Sequence, residues 1–170
     1  MLSENVGKLL NEQVNKEFYS AYLYLDFANF YEGEGLKGFA HWYQVQAQEE
    51  RDHAMLMMQY LQNNDYKVTL EAIDKPDQKL VTKMDPLKAG FEHEKYVTSL
   101  IHNIYDAAYT GKDFRTMQFL DWFVKEQGEE ETNASDLIRK MELFGEDARG
   151  LYLLDSELAA RVYAAPSLTL

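Results

Sequence analysis

The chain has no cysteine, only three prolines and nine glycines among its 170 residues, and no long apolar run. Without cysteine it can form neither a disulfide framework nor a thiolate metal site, and it has no thiolate nucleophile. The scarcity of proline and glycine favours long, uninterrupted elements. Because no apolar run approaches the ~20 residues that cross a bilayer, we expect no membrane-spanning segment.

Basic residues are also scarce, with 17 Lys and Arg against 29 Asp and Glu and a formal net charge of −12. Nucleic-acid-binding domains usually carry a basic surface, so we expect no nucleic-acid partner. Residues 1–13 lack a basic start followed by an apolar stretch, so we expect no secretory signal and a cytoplasmic location. Acidic surface usually indicates only solubility, but many copies facing one enclosed volume would concentrate cations there.

Helical periodicity dominates the sequence, and short polar breaks divide it. Asp85 is expected to cap the third helix, with Pro86 at its first helical position. We predict four long helices and a shorter fifth, over approximately residues 3–31, 36–63, 85–110, 113–144 and 146–164.

The segment between the second and third predicted helices, residues 65–84, decides the topology. A helix of roughly 28 residues is about 42 Å long, and an extended segment of this size can span that length. The first two and the last two helices therefore form antiparallel hairpins. We predict an all-α four-helix bundle over residues 1–145 with a long crossover between helices 2 and 3, and a short fifth C-terminal helix and tail at 146–170 in the same single domain.

The core seam of each predicted helix, traced in alternating steps of three and four residues, is apolar toward its ends and polar near its middle. His53 is the only basic residue on the four seams. A glutamate lies near the middle of every seam: Glu17, Glu50, Glu94 and Glu130.

The heights of these glutamates agree within each hairpin. Glu17 lies 17 residues before the first turn, centred at Glu34, and Glu50 lies 16 residues after it. Glu94 and Gln127 are placed in the same way around Gly111. Residues at equal distance from the turn of an antiparallel hairpin lie at equal height, so Glu17 should face Glu50, and Glu94 should face Gln127 and Glu130. The sequence leaves the alignment of the two hairpins open.

Four carboxylates in one buried layer need a counter-charge, although a single one is commonly a hydrogen-bonded core residue. Removing an ionised carboxylate from water costs several kcal/mol. Lys and Arg lie off the seams, and protonation of some carboxyls would be a poor solution for stability. Glutamate oxygens with one imidazole and no sulfur suit iron, manganese or zinc, and Glu50 and His53 share one helix face at i and i+3.

With this layer, the helix lengths, the long crossover and the short fifth helix, the chain resembles a bacterial non-haem ferritin over essentially its whole length. The resemblance implies a di-iron ferroxidase centre. Its first iron would be held by Glu17, Glu50 and His53, and its second by Glu50, Glu94 and Glu130 with Gln127 close by.

The resemblance also implies a third iron site nearby, although acids outside a seam are usually solvated surface charges. Tyr24 matches the tyrosine that borders the centre in this family, but it could equally be a packed aromatic residue. Haem-containing relatives carry a second Glu-x-x-His pair, whereas this chain has Gln127 and Glu130 there, so we expect no haem. The ligands implied for the third site are Glu49, Glu126, Glu129 and Glu130.

The function implied by the resemblance is iron storage and detoxification. Two or three iron ions would bind per subunit, and Fe(II) would be oxidised to Fe(III) by O2 or hydrogen peroxide. The ferric mineral would be stored inside a homo-oligomeric cage of twenty-four subunits. Two alternatives remain: a DNA-protecting mini-ferritin, which lacks the fifth helix and builds its site between subunits, and a non-storage bundle that holds two metal ions.

Overall fold

The structure, a computed structural model, describes residues 2–170 and contains five helices in that range. α1 and α2 pack as one hairpin, α3 and α4 pack as the other, and α1 also contacts α3. Within the same range no helix combines the length and the apolar character needed to cross a membrane. The predicted all-α bundle with its crossover and short fifth helix is confirmed, with α1 at Glu4–Gly33, α2 at Lys37–Asn63, α3 at Asp85–Thr110, α4 at Phe114–Phe144 and α5 at Ala148–Leu158.

Short local signals set the ends of these helices. Ser3 caps α1, because its Oγ accepts a hydrogen bond of 3.3 Å from the backbone N–H of Val6. Asp113 caps α4 in the same way, with its carboxylate accepting from the N–H of Thr116 at 3.1 Å. The turn after α1 includes Gly35 at φ +75°, in the left-handed region where glycine carries no steric penalty.

The predicted cap of α3 was wrong. The cap residue is Met84, and Asp85 is the first residue of the helix itself. The Asp85 carboxylate accepts from the backbone N–H of Val81 at 2.8 Å and of Thr82 at 2.7 Å, so it closes the turn that precedes the helix. Pro86 fits the first turn of α3 because an N–H there would have no partner within the helix.

The predicted extent of the fifth helix was also wrong, since α5 ends at Leu158 and not near residue 164. From residue 161 onward the chain is non-helical. The side chains of Arg161 and Tyr163 both reach α2, at Glu49 and Asp52 respectively. Alternate side chains of an extended segment point the same way, whereas residues two apart in a helix do not. Contacts with α2 thus favour a non-helical course for the chain after the turn at residues 159–160. We call residues 159–170 the C-terminal tail.

The apolar core is divided into two clusters. One lies toward the α1–α2 turn and α5, and contains Phe27, Tyr31, Phe39 and Leu154 among others. The second lies toward the other end of the bundle, with Leu10, Met57, Ile101, Leu120 and Phe123. The seam glutamates fall between the two clusters on all four long helices.

A side chain from α5 caps the start of α2. The N-cap position of α2 is Leu36, which supplies no side-chain hydrogen bond. Asp155 supplies the missing cap, because its Oδ1 accepts hydrogen bonds from the backbone N–H of Gly38 at 2.8 Å and of Phe39 at 3.0 Å. The backbone of α5 approaches so closely that a Cβ on Gly38 would lie 1.7 Å from the Asp155 carbonyl oxygen. Glycine at position 38 is therefore required by this packing.

We predict that Asp155→Ala lowers the free energy of unfolding by about 1 kcal/mol, the usual effect of losing a helix cap. Chemical denaturation followed by circular dichroism would measure it. Ser156→Ala is the matched control, because Ser156 Oγ bonds only the Tyr152 carbonyl within α5. Equal stability of the two variants would contradict the capping role.

Candidate metal centre

A layer of buried polar side chains separates the two apolar clusters. It draws on all four long helices, and every member is at most 4% exposed. In a bundle core such groups are stable only if their hydrogen-bonding capacity and charge are matched. The members are Gln13, Glu17, Ser20, Gln46, Glu50, His53, Glu94, Gln127 and Glu130.

On the α1–α2 side of the layer, Glu17, Glu50 and His53 converge. Each offers one ligand atom, and these atoms all lie within 4.8 Å of one another. His53 Nδ1 is 3.3 Å from Glu50 Oε2. One helical turn separates Glu50 from His53, so α2 alone places a carboxylate and an imidazole side by side.

Glu17 carries an oxygen that the protein leaves unmatched. Its Oε1 accepts from Gln13 Nε2 at 2.8 Å. Its Oε2 is buried and has no hydrogen-bond partner among the described residues. A buried acceptor without a partner costs about 1–3 kcal/mol, and a bound cation would remove that cost.

On the α3–α4 side, Glu94 and Glu130 complete the layer. Gln127 Nε2 donates to Glu94 Oε2 at 3.2 Å. Gln46 of α2 donates to Glu130 Oε2 at 2.8 Å and to Glu50 Oε1 at 3.1 Å, so one amide links carboxylates of both hairpins. The two hairpins therefore align with their glutamates at one height, which the sequence had left open.

Tyr24 lies against the layer from α1. It is fully buried, and its O–H donates to Glu94 Oε1. Burial, followed by the charges of Glu94 and Glu50, raises the pKa of the phenol well above its ordinary value of 10. The phenol therefore stays protonated and holds one oxygen of Glu94 as a hydrogen-bond donor.

Burial raises the pKa of every carboxyl in the layer. For Glu17 and Glu94 the pKa rises from 4.5 to about 8, mainly through lost hydration and next through the charge of Glu50. The pKa values of Glu50 and Glu130 rise for the same first reason, and the next cause is Glu130 for Glu50 and Glu94 for Glu130. Negative charges crowded out of water thus favour either protons or a metal cation.

The three acids outside the seams are arranged differently. Glu49 is half-buried and pairs with Arg161 of the tail. Glu126 is half-buried, and burial raises its pKa while His53 opposes the rise. Glu129 is exposed and pairs with Lys125 at 3.2 Å. Within residues 2–170 the only group of three or more acids or histidines with converging ligand atoms is Glu17, Glu50 and His53.

The ligand candidates are readable from the sequence pattern, whereas the residues that hold them were not predicted. Gln13 and Gln46 stand four residues before Glu17 and Glu50, and each donates to that glutamate. A glutamine at i−4 on the same seam is a readable signal, because such pairs meet on one helix face. Arg161 had no comparable signal, since its contacts on α2 lie more than a hundred residues away in sequence.

Comparison with known proteins agrees with this architecture. The sequence profile of the Ferritin-like domain matches residues 7–144. A bacterial non-heme ferritin of Campylobacter jejuni is 41% identical over 160 residues, which cover 91% of this chain and 93% of that protein. A probable bacterial non-heme ferritin-like protein of Haemophilus influenzae is 38% identical, covering 93% and 96%. The solved open pore ferritin of the archaeon Archaeoglobus fulgidus superposes with a TM-score of 0.92 at 43% identity, covering 95% and 98%.

The raised carboxyl pKa values predict how stability depends on pH in the absence of added cations. In the unfolded chain a glutamate loses its proton above its ordinary pKa of 4.5, whereas in the folded layer Glu17 keeps its proton up to a pH of about 8. The layer's contribution to the free energy of unfolding is therefore intact below that pKa and falls as the pH rises toward about 8.

Glu17→Gln removes one of these titrations. We expect it to flatten the decline by at most about 1.4 kcal/mol per pH unit. Urea denaturation at intervals across that range measures the slope for both proteins. Glu12→Gln, an exposed change on the same helix, should keep the wild-type slope. Identical slopes for Glu17→Gln and the wild type would show that Glu17 does not titrate in this way.

Proposed function

The chain belongs to the ferritin family, and we propose that it binds Fe(II) in the polar layer, oxidises it to Fe(III) and stores the ferric product. The observation that carries the proposal is the layer itself. Four buried carboxyls and one imidazole share this layer, and among the described residues one carboxylate oxygen has no partner. Two divalent cations would match this charge. Relatives named bacterial non-heme ferritin support iron as the cargo.

The chain's own residues divide into two proposed iron positions. Glu17 and His53 face the first, and Glu94 and Glu130 face the second. Glu50 lies between them, because its Oε2 is 3.3 Å from His53 Nδ1 and its Oε1 is linked to Glu130 through Gln46. Gln127 adds a neutral amide at Glu94. Oxygen ligands of this hard kind stabilise Fe(III) relative to softer sets, so the centre favours oxidation of the iron that it binds.

Because the two proposed iron positions are adjacent, binding of two Fe(II) ions prepares them for oxidation together. Two Fe(II) ions held side by side together supply the two electrons that convert O2, with two protons from water, to hydrogen peroxide. Hydrogen peroxide can in turn accept two electrons from a second pair of Fe(II) ions and two protons, and yield two water molecules. Tyr24 donates to Glu94 Oε1 and Gln127 donates to Glu94 Oε2 at 3.2 Å, so Glu94 would bind a metal through the remaining lone pairs of these held oxygens.

A third iron position at Glu49, Glu126, Glu129 and Glu130 stays a prediction of the sequence. Two features bear on it. Burial raises the pKa of Glu49, and the nearby charge of Glu126 adds to the rise, so the two acids lie close enough to support a shared cation position. Glu49 is already paired with Arg161, which a metal ion would have to displace.

Storage requires assembly, and we propose a closed homo-oligomer of twenty-four subunits. Exposed apolar side chains support it. Tyr22 and Leu25 are both about half exposed and lie one turn apart on α1, and Phe114 and Leu143 at the two ends of α4 are more than 70% exposed. Such residues commonly mark protein–protein contacts. The net charge of −12 would give an enclosed interior an attraction for iron. A cytoplasmic location stays a prediction.

The alternatives differ in testable ways. α5 and a layer built within one chain weigh against a DNA-protecting mini-ferritin with a site between subunits. Manganese and zinc share the ligand preferences of this layer, so a non-storage metal bundle is distinguished by chemistry. It would bind ions without oxidising iron or retaining a ferric core.

We predict that Glu50→Ala and His53→Ala each slow Fe(II) oxidation by at least about 100-fold, the upper range seen for supporting residues of metal sites. The rise of ferric absorbance after mixing Fe(II) with air-saturated iron-depleted protein measures the rate. Glu12→Ala, an exposed α1 glutamate paired with Lys8, is the control and should oxidise iron at the wild-type rate. A wild-type rate in Glu50→Ala would place the oxidation elsewhere.

The native particle should elute in gel filtration at the mass of twenty-four 19.8 kDa subunits and carry ferric iron with it after loading. Light scattering combined with an iron assay on the same fractions tests both properties. A monomer or dimer without retained iron would exclude storage, whether or not the centre oxidises iron.

A further inference from the structure

The C-terminal tail reaches the polar layer through a single side chain. Arg161 stacks over the Trp42 ring, with its guanidinium carbon 4.2 Å from the ring centroid. Its Nη1 donates to the Trp42 carbonyl at 3.3 Å and to Gln46 Oε1 at 2.9 Å. Its Nη2 binds the Glu49 carboxylate. One guanidinium from residue 161 therefore holds three residues of α2.

The contact with Gln46 continues into the layer. Gln46 is 1% exposed, and its amide nitrogen donates to Glu50 Oε1 and Glu130 Oε2. Both hydrogens of the amide are thus used on carboxylates, while its oxygen accepts from Arg161. A continuous chain of hydrogen bonds runs from the tail through Gln46 to two layer glutamates.

Arginine favours one of the two orientations of this amide. A carboxamide presents a donor end and an acceptor end of nearly equal size, so packing alone cannot orient it. A guanidinium has only donors, and it therefore binds the oxygen and turns the nitrogen toward the carboxylates. With the amide reversed, its oxygen would face two acids and its N–H groups would face a cation.

We propose that Arg161 is a positioning residue for the metal centre, acting through Gln46 to fix the Glu50 and Glu130 carboxylates. The proposal rests on the function proposed above. Gln46 holds one oxygen of each glutamate, which leaves the other oxygen of each for metal ions. The tail is then a working part of the centre, although no tail residue belongs to the layer.

The test is a titration of iron-depleted protein with Co(II), whose visible absorption reports the geometry of its ligands and requires no oxidation. Arg161→Ala should lower the affinity for the first two equivalents of Co(II) by about tenfold, the lower end of the range for residues that support metal ligands. It should also change the absorption spectrum of the bound Co(II). Gln46→Leu removes the same link from the other end and should weaken binding at least as much.

The double variant separates positioning from simple tethering. If Arg161 acts through Gln46, adding Arg161→Ala to Gln46→Leu should change the affinity by less than about twofold. Losses that multiply would overturn the proposal, as would a wild-type titration for Arg161→Ala. Tyr163→Phe is the control, because it removes the tail's bond to Asp52 and leaves Gln46 untouched. It should titrate as the wild type, and a loss equal to that of Arg161→Ala would reduce Arg161 to a tether.

Arg161→Lys keeps the test decisive if the alanine variant does not fold. A single ammonium cannot reproduce the two-sided fork to Gln46 and Glu49, so Co(II) binding should still be weaker than in the wild type. Unchanged binding and spectrum would overturn the proposal. Failure of the wild type itself to bind Co(II) in the layer would instead contradict the proposed function.

Discussion

The constraint on which the rest of this structure depends is the burial of four carboxyl groups and one imidazole in a single layer. Loss of hydration raises the pKa of Glu17 and Glu94 to about 8, and each charge makes the next harder to carry. Packing cannot relieve this conflict, because the missing component is positive charge. The surrounding structure is a scaffold that holds the acids in this costly arrangement.

The scaffold works at three levels. Apolar clusters above and below the layer exclude water and fix the heights of the helices. Amides and a phenol then hold individual oxygens: Gln13 binds Glu17, Gln127 and Tyr24 bind Glu94, and Gln46 bridges the two hairpins. Farther out, α5 caps α2 through Asp155 and the tail reaches Gln46 through Arg161. Each set of contacts restricts the movement of the groups that lie nearer to the buried carboxyls.

The sequence was sufficient for features that repeat along one helix or follow from short turns. The helical period placed Glu17 and Glu50 on the core seams of their helices. Their nearly equal distances from the turn predicted that they lie at the same height in the bundle. Features that join distant segments had no such signal. The alignment of the hairpins depends on the Gln46 bridge, and the early end of α5 depends on contacts of Arg161 with α2. These are tertiary contacts between single side chains, and no period in the sequence encodes them.

The most direct test of the account is anomalous diffraction at the iron edge from crystals loaded with Fe(II) without oxygen. The account predicts two iron peaks inside the bundle, one beside Glu17 and His53 and one beside Glu94 and Glu130, with Glu50 contacting both. Iron found only on the surface or in the solvent, with the layer carboxyls unchanged, would contradict it.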